Sequence, residues 1–192
     1  VPPAVEQSII ELYDQELFNA HTVIIGGSHA PGFSDELYAE MVRKATAAGV
    51  RTVLDIRGPD LLRCIHHHPS ALKINVSEFS QTFTPDATLD EDVHPEEIPR
   101  AVLDKMIEIH IQNAVEIVLT NGSRPVLFVT DGIVATIQPE PVTPVNAIGS
   151  GDAVTAGLAA GLHRGMSLEG AVHLGMDCAA KNVQLEKPGT IR

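Results

Sequence analysis

Apolar and polar positions follow two rhythms along the chain, and each rhythm predicts one kind of element. Apolar residues spaced by three and four predict helices over 5–18, 100–119, 153–162 and 168–183. A further helix is expected between Ser34, which can cap its start, and Gly49, which follows its end. Short apolar runs rich in β-branched residues predict buried strands over 22–26, 51–55, 71–74, 126–130 and 133–137.

The order of these elements predicts an α/β fold. Strands that alternate with helices form βαβ units, and the resulting parallel sheet is covered by helices on both faces. Asp131-Gly132 separates two strands and predicts a β-hairpin, whereas the proline-rich stretches 84–99 and 139–144 predict a loop and a link. We expect a single α/β domain over residues 1–192. Ligands of such sheets bind beyond the carboxyl ends of the strands, where the glycine clusters of this sequence fall.

Charge narrows the range of partners. The 192 residues include 13 Lys and Arg against 25 Asp and Glu, which gives a formal net charge of −12. Such a chain repels a polyphosphate backbone, so we expect no nucleic-acid partner, and any bound phosphate must be held by backbone N–H groups and a few placed cations.

Other features bear on the cellular setting. No apolar run approaches the ~20 residues that span a bilayer, and residues 1–4 lack the charged start of a signal peptide, so we expect no membrane association. Two cysteines, Cys64 and Cys178, make no disulfide framework, which favours the reducing cytoplasm. The chain starts with Val1 and not with Met, which favours a processed or truncated product.

The strongest chemical signal is the segment Gly149-Ser150-Gly151-Asp152, which opens a helix of small residues. Two glycines let the backbone turn so that several N–H groups point the same way, and the positive end of the helix adds to their attraction for an anion. Asp152 could be a simple helix-terminus charge. A carboxylate beside an anion cradle is also suited to remove a proton from a hydroxyl that attacks a phosphoryl group held by the amides.

Competing motifs fail on spacing. A dinucleotide fingerprint would need a third Gly or Ala where Val154 stands, so an NAD-linked oxidoreductase is disfavoured. No Gly-Lys pair occurs, which excludes a Walker A sequence, and Ser150 lacks a glycine two residues before it, which excludes a nucleophile elbow.

The sequence resembles the PfkB, or ribokinase-like, family of carbohydrate kinases. Gly149-Ser150-Gly151-Asp152 is similar to the family's Gly-x-Gly-Asp segment, and Asn146 favours the branch that acts on sugar phosphates, with 1-phosphofructokinase and tagatose-6-phosphate kinase. Residues 26–32, Gly-Gly-Ser-His-Ala-Pro-Gly, resemble that branch's Ser-Gly-Ser-Leu-Pro-x-Gly loop. Asn75 and Glu78 match its Asn-x-x-Glu motif.

The resemblance implies a ribokinase-like three-layer sandwich with a mostly parallel sheet, and a kinase that uses ATP and Mg²⁺ on a sugar or sugar phosphate. It makes Asp152 the general base. The other implied roles are an anion hole at Gly149, Ser150 and Gly151, Mg²⁺ organisation through waters by Asn75 and Glu78, and a shortened nucleotide loop at Thr130, Asp131 and Gly132.

The resemblance starts near Thr22, and the family's N-terminal strands, sugar-binding residues and lid find no counterpart. A truncated, non-catalytic nucleotide-binding remnant that serves as a regulatory or assembly subunit is therefore the alternative to a kinase. A homodimer is a further expectation, because relatives exchange lids between subunits and an uncovered sheet edge could pair with another chain.

Overall fold

The computed structural model describes residues 1–191, and its centre is a six-stranded sheet. The strands are β1 (Thr22–Gly26), β2 (Arg51–Asp55), β3 (Ala71–Asn75), β4 (Glu116–Thr120), β5 (Val126–Thr130) and β6 (Ile133–Ile137). They lie side by side in chain order. The strands β1 to β4 are parallel, β5 is antiparallel to β4, and β6 is antiparallel to β5.

Helices cover both faces of the sheet and confirm the predicted three-layer α/β architecture. They are α1 (Pro3–Leu17), α2 (Leu37–Ala47), α3 (Gly58–Cys64), α4 (Val76–Phe83), α5 (Arg100–Asn113), α6 (Ser150–His163) and α7 (Leu168–Val183). Helices α2 to α5 pack on one face, and α6 and α7 pack on the other. Helix α1 lies outside this arrangement and packs on α2 through Leu17, which joins Ala45 and Val50 in a small cluster.

The two faces of the sheet bury separate apolar clusters, because neighbouring residues of a strand point to opposite faces. Val53 of β2 packs with Leu158 of α6, whereas Leu54 packs with Phe79 of α4 and Met106 of α5. Each fully buried aliphatic side chain of this kind contributes about 1.5–3 kcal/mol to folding. Strand β2 is thus held from both sides, which fixes the position of Asp55 at its end.

The helix predicted over 100–119 was wrong in its last part. Helix α5 ends at Asn113, Ala114 has a left-handed φ of 50°, and Glu116–Thr120 is strand β4. The residues of β4 pair with β3 on one side and β5 on the other, and its centre is fully buried. Pairing on both edges therefore decides the structure of this run against the helical spacing of the residues before it.

The structure also decides predictions about short helices, the start of α2 and the turn between β5 and β6. The short helices α3 and α4 were not predicted, and α2 begins without a cap from Ser34, whose backbone N–H donates to Glu6 of α1 at 2.7 Å. The predicted hairpin is confirmed, because Asp131 and Gly132 form its turn with φ of 50° and 73°. Among residues 1–191, no helix combines the length and the apolar composition that crossing a bilayer requires.

Candidate active site

The carboxyl ends of the parallel strands lie along one border of the sheet, which we call the carboxyl edge. Helix α6 begins beside it. Gly26 stands opposite Asp55, and Asn75 stands opposite Thr120, at the ends of their strands. The Thr155 hydroxyl of α6 donates to Asp55 Oδ2 at 2.5 Å. The first turn of α6 and the ends of the strands therefore lie at the same end of the molecule.

The segment that opens α6 carries the three N–H groups predicted to form the anion hole. Those of Gly149 and Gly151 are free within residues 1–191, that of Ser150 is engaged, and the anion-hole role of the three stays a prediction. Gly149 takes a left-handed φ of 75°, a conformation that favours glycine, and α6 starts at Ser150. The N–H of Ser150 donates to the Ala147 carbonyl at 3.2 Å. Within residues 1–191, the N–H groups of Gly149, Gly151 and Asp152 have no acceptor. Free N–H groups at the positive end of a helix form a site for an anion.

Asp152 lies in the first turn of α6 with an exposed side chain. Its carboxylate has no hydrogen-bond or ion-pair partner in the part of the chain that the structure describes. Its Oδ2 is 4.0 Å from the point that a Cβ on Gly149 would occupy, so the carboxylate adjoins the free N–H groups. A carboxylate held near an anion site and not engaged elsewhere can accept a proton from a bound hydroxyl.

The loop that carries Gly149 is docked on the end of α7. The N–H groups of Val145 and Asn146 both donate to the Val183 carbonyl, at 2.7 and 3.0 Å. The Asn146 side chain accepts from Ile148 N–H at 3.0 Å and donates to the Glu186 carbonyl at 3.2 Å. These contacts fix the loop against the end of α7 and the residues that follow it, which we call the C-terminal segment. Tertiary structure therefore sets the direction of the N–H groups of the loop.

A buried cation that sequence analysis did not assign to the site lies beneath this first turn. Lys73 of β3 has a side chain only 6% exposed, and its Nζ is 3.2 and 3.1 Å from the two carboxylate oxygens of Asp55. The same Nζ is 3.0 Å from the point that a Cβ on Gly151 would occupy. The available signal was a lysine within an otherwise apolar strand, because a charge there must find a buried partner.

Asn75 and Glu78, predicted to organise Mg²⁺, form the start of α4. The Asn75 side chain accepts from Glu78 N–H at 2.7 Å, and Glu78 Oε2 lies 3.5 Å from Asn75 N–H, which is a capping box. Glu78 Oε1 also accepts from Arg57 at 2.7 Å, and Asn75 Nδ2 donates to Glu91 at 2.7 Å. Both residues thus lie beside the carboxyl ends of the parallel strands and are held by contacts within the protein.

The donors at this edge fit Mg²⁺ only when waters complete its coordination. Asp55, Asn75 and Glu78 supply oxygen atoms, which Mg²⁺ prefers, and Mg²⁺ keeps several waters in most protein sites. No group of three or more His, Cys, Asp or Glu side chains within residues 1–191 is arranged to hold a metal ion directly. The metal role of Asn75 and Glu78 stays a prediction.

The structure does not bring Thr130, Asp131 and Gly132 to this edge. Strand β5 runs antiparallel to β4, so its last residue lies at the amino end of the parallel strands. The Asp131 carboxylate also lies near Glu116, the first residue of β4. Burial raises the pKa of Glu116, and the charge of Asp131 raises it further. The hairpin turn and Asp152 therefore lie at opposite edges of the sheet.

A different turn, Thr120-Asn121-Gly122, occupies the carboxyl edge. The Asn121 side chain is fully buried and holds the backbone of Val93 through two hydrogen bonds, of 3.1 and 2.7 Å. Gly122 has a φ of 56° and packs against the carboxylate of Asp92. This turn was missed because β4 was predicted as helix; the signal was a β-branched run followed by Asn-Gly.

Comparison with known proteins gives consistent matches. The profile of the pfkB family carbohydrate kinases matches residues 4–191. The 1-phosphofructokinase of Bacillus subtilis is 27% identical over 176 residues, which are 92% of this chain and 55% of that protein. The tagatose-6-phosphate kinase of Staphylococcus epidermidis is 28% identical over 165 residues, which are 80% of this chain and 50% of that enzyme.

Solved structures agree on the fold. The tetrameric inhibited form of phosphofructokinase-2 from Escherichia coli superposes with a TM-score of 0.76 at 22% identity, and the match covers 93% of this chain and 57% of that one. The chain thus spans about half the length of the relatives that it matches, with 55% and 50% of the two curated enzymes covered.

Proposed function

The chain belongs to the pfkB family of carbohydrate kinases, and from this premise we propose that it forms the phosphoryl-transfer part of an ATP-dependent sugar or sugar-phosphate kinase. The observation that carries the proposal is the unengaged Asp152 carboxylate beside the free N–H groups of Gly149 and Gly151. The names of the relatives favour fructose 1-phosphate or tagatose 6-phosphate as the acceptor class.

In the proposed reaction, Asp152 accepts the proton of the acceptor hydroxyl. The hydroxyl oxygen then forms a bond to the γ-phosphorus of ATP, while the bond from that phosphorus to the β–γ bridging oxygen breaks and ADP leaves. The N–H groups of Gly149, Gly151 and Asp152 donate to the oxygens on which negative charge develops. Donors fixed before the reaction stabilise this charge without any cost of reorganisation.

Cation and nucleotide contacts complete the proposal. Asn75, Glu78 and Asp55 would hold Mg²⁺ through waters, and a bound Mg²⁺ would neutralise charge on the phosphate oxygens. The turn Thr120-Asn121-Gly122, next to Asn75 at the carboxyl edge, is our candidate for backbone contacts to the nucleotide. Its support is position alone: ligands of open α/β sheets bind beyond the carboxyl ends of the strands.

The substitution Asp152→Asn tests the proposed base. It keeps the shape of the side chain, so we expect an unchanged fold and nucleotide affinity and a turnover about 10²–10⁴-fold lower. The assay is phosphate transfer from ATP to fructose 1-phosphate and to tagatose 6-phosphate. Asp177→Asn, an exposed change in the middle of α7, is the matched control and should leave turnover unchanged. A fully active D152N variant would remove Asp152 from this role.

A second candidate is a nucleotide-binding subunit without catalysis. Its support is the anion site itself, because the free N–H groups of Gly149, Gly151 and Asp152 can hold a nucleotide phosphate whether or not a proton is transferred. This candidate predicts that MgATP raises the melting temperature of the purified chain while no phosphate reaches either acceptor. Transfer by the purified chain that is lost in D152N would select the kinase instead.

A further inference from the structure

Asn182 is a fully buried asparagine in the last turn of α7, next to the loop that carries the anion hole. Its Nδ2 donates to the Ile148 carbonyl at 2.9 Å, and its Oδ1 accepts from Gly189 N–H at 2.8 Å. Both hydrogen-bonding ends of the side chain are therefore used. These two contacts join α7, the loop before α6 and the C-terminal segment.

The contact to Ile148 fixes the orientation of one particular peptide unit. The Ile148 carbonyl and the Gly149 N–H belong to the same peptide bond, which is planar and trans, so the two groups point in opposite directions. When Asn182 holds the carbonyl on the side of α7, the Gly149 N–H must point away from α7. The side chain of Asn182 thus sets the direction of one of the free donors.

The second contact brings the C-terminal segment against the same glycine. A Cβ on Gly149 would lie 3.3 Å from Pro188 Cβ and 3.7 Å from Asn182 Nδ2. The Asn182 Oδ1 holds Gly189, the residue after Pro188, so one amide fixes both walls around Gly149. Few other side chains of this size donate to a carbonyl and accept from an N–H at once, and an apolar replacement would leave both backbone groups unpaired.

We propose that Asn182 is a positioning residue for phosphoryl transfer, which acts by orienting the Gly149 N–H through the Ile148 carbonyl. The inference rests on the function proposed above and extends it to a residue on a different helix. Asn182 does not touch the reacting atoms in this role. Its loss should weaken the binding of a transferring phosphoryl group more than the binding of the nucleotide that carries it.

The test is Asn182→Asp, which keeps the size of the side chain and the acceptor for Gly189 but replaces the donor to Ile148 by an oxygen. Binding of MgADP alone, and of MgADP with aluminium fluoride as a mimic of the transferring phosphoryl group, is measured by calorimetry on the whole chain. We expect N182D to weaken the aluminium fluoride complex by about 10- to 100-fold beyond any change in MgADP affinity.

Asn113→Asp is the matched control. Asn113 is also a buried asparagine whose Nδ2 donates to a backbone carbonyl, that of Ile109 at 3.1 Å, but it lies in α5, away from the anion hole. N113D should lower the stability and leave the ratio of the two affinities unchanged. If N182D is unfolded by circular dichroism, Asn182→Ser, which removes the amide without adding a charge, takes its place.

The outcomes separate this inference from the proposed function. An unchanged ratio in a folded Asn182 variant would overturn the positioning role and leave the kinase proposal standing. An equal loss in N113D would also overturn it, because general destabilisation would then explain the result. A native chain that binds neither MgADP nor the aluminium fluoride complex would overturn both.

Discussion

Lys73 places a charge within an otherwise apolar strand, at a position where burial makes the charge costly. Its ammonium lies beneath the first turn of α6, where the helix dipole is also positive, so both burial and the dipole disfavour it. Asp55 offsets this cost, and Thr155 fixes the orientation of Asp55. The pair joins β2, β3 and α6 at the point where the candidate site is assembled.

The variant Lys73→Met removes one partner of this buried ion pair. The Asp55 carboxylate would then keep only the Thr155 hydroxyl, and we expect the free energy of unfolding to fall by about 3 kcal/mol. The double variant Lys73→Met with Asp55→Asn removes both charges and should regain most of the lost stability. Urea unfolding of the two variants and the native chain measures these differences. A double variant as unstable as the single one would contradict the coupling.

At the scale of single residues, the sequence identified candidate residues but did not predict which groups their side chains contact. Asn75 and Glu78 were identified by their match to the Asn-x-x-Glu motif, and the structure places both at the start of α4, a helix that was not predicted. Their contacts to Glu91 and Arg57 come from segments 16 and 21 residues away and follow no local rule. The same limit applies to Asn182, because its importance depends on a carbonyl 34 residues earlier in the chain.

At the scale of elements, the contact between α6 and α7 is extensive, and it depends on glycine. A Cβ on Gly157 would lie 2.6 Å from the Cα of Gly175 and 2.8 Å from the Leu174 carbonyl oxygen. These are backbone atoms, which cannot rotate aside. The absence of both side chains lets the two helices approach closely, and this places the end of α7 beside the loop that opens α6.

The variant Gly157→Ala therefore tests the packing of the two helices. Alanine gains about 1 kcal/mol of helix propensity, but overpacking against the backbone of α7 should cost about 1–3 kcal/mol or more, so we expect a net loss of stability. Gly170→Ala is the control, because its Cβ would meet the flexible end of Met166 at 3.3 Å. Thermal unfolding measures both. A G157A variant more stable than G170A would contradict the packing argument.

Elements also show why β4 was missed while its neighbours were predicted. Four of the five predicted strands follow a glycine or a proline by one or two residues (Gly49, Pro69, Pro125 and Gly132), whereas the run that forms β4 follows α5 with only Ala114 and Val115 between them. Apolar spacing alone cannot locate the end of the helix, because Ile109 and Ile117 both fit it. The end depends on the left-handed Ala114 and on strand partners that the sequence does not reveal.

At the scale of the whole molecule, β1 is the first strand of the sheet that the structure describes, and it pairs with β2 alone. Its Ile24 is 47% exposed and lines a shallow groove of about 360 Å³ with Ala156 and Ala160 of α6. On the other side, α1 exposes a stripe that includes Ile9 and Leu12. A strand edge with unpaired backbone groups and apolar flanks favours association with another chain.

The variant Ile24→Lys tests whether this edge governs the behaviour of the chain in solution. A lysine in an edge strand opposes the addition of a further strand, so we expect less self-association than in the native chain, which should itself associate as its concentration rises. Sedimentation equilibrium over a range of concentrations measures the difference.

Ile111→Lys is the matched control, because Ile111 is 68% exposed but lies on α5, away from β1, and should leave association unchanged. Equal association of I24K and the native chain, or a native chain that stays monomeric, would contradict the role of this edge. Association lost only in I24K would identify β1 as the surface through which the molecule meets a second chain.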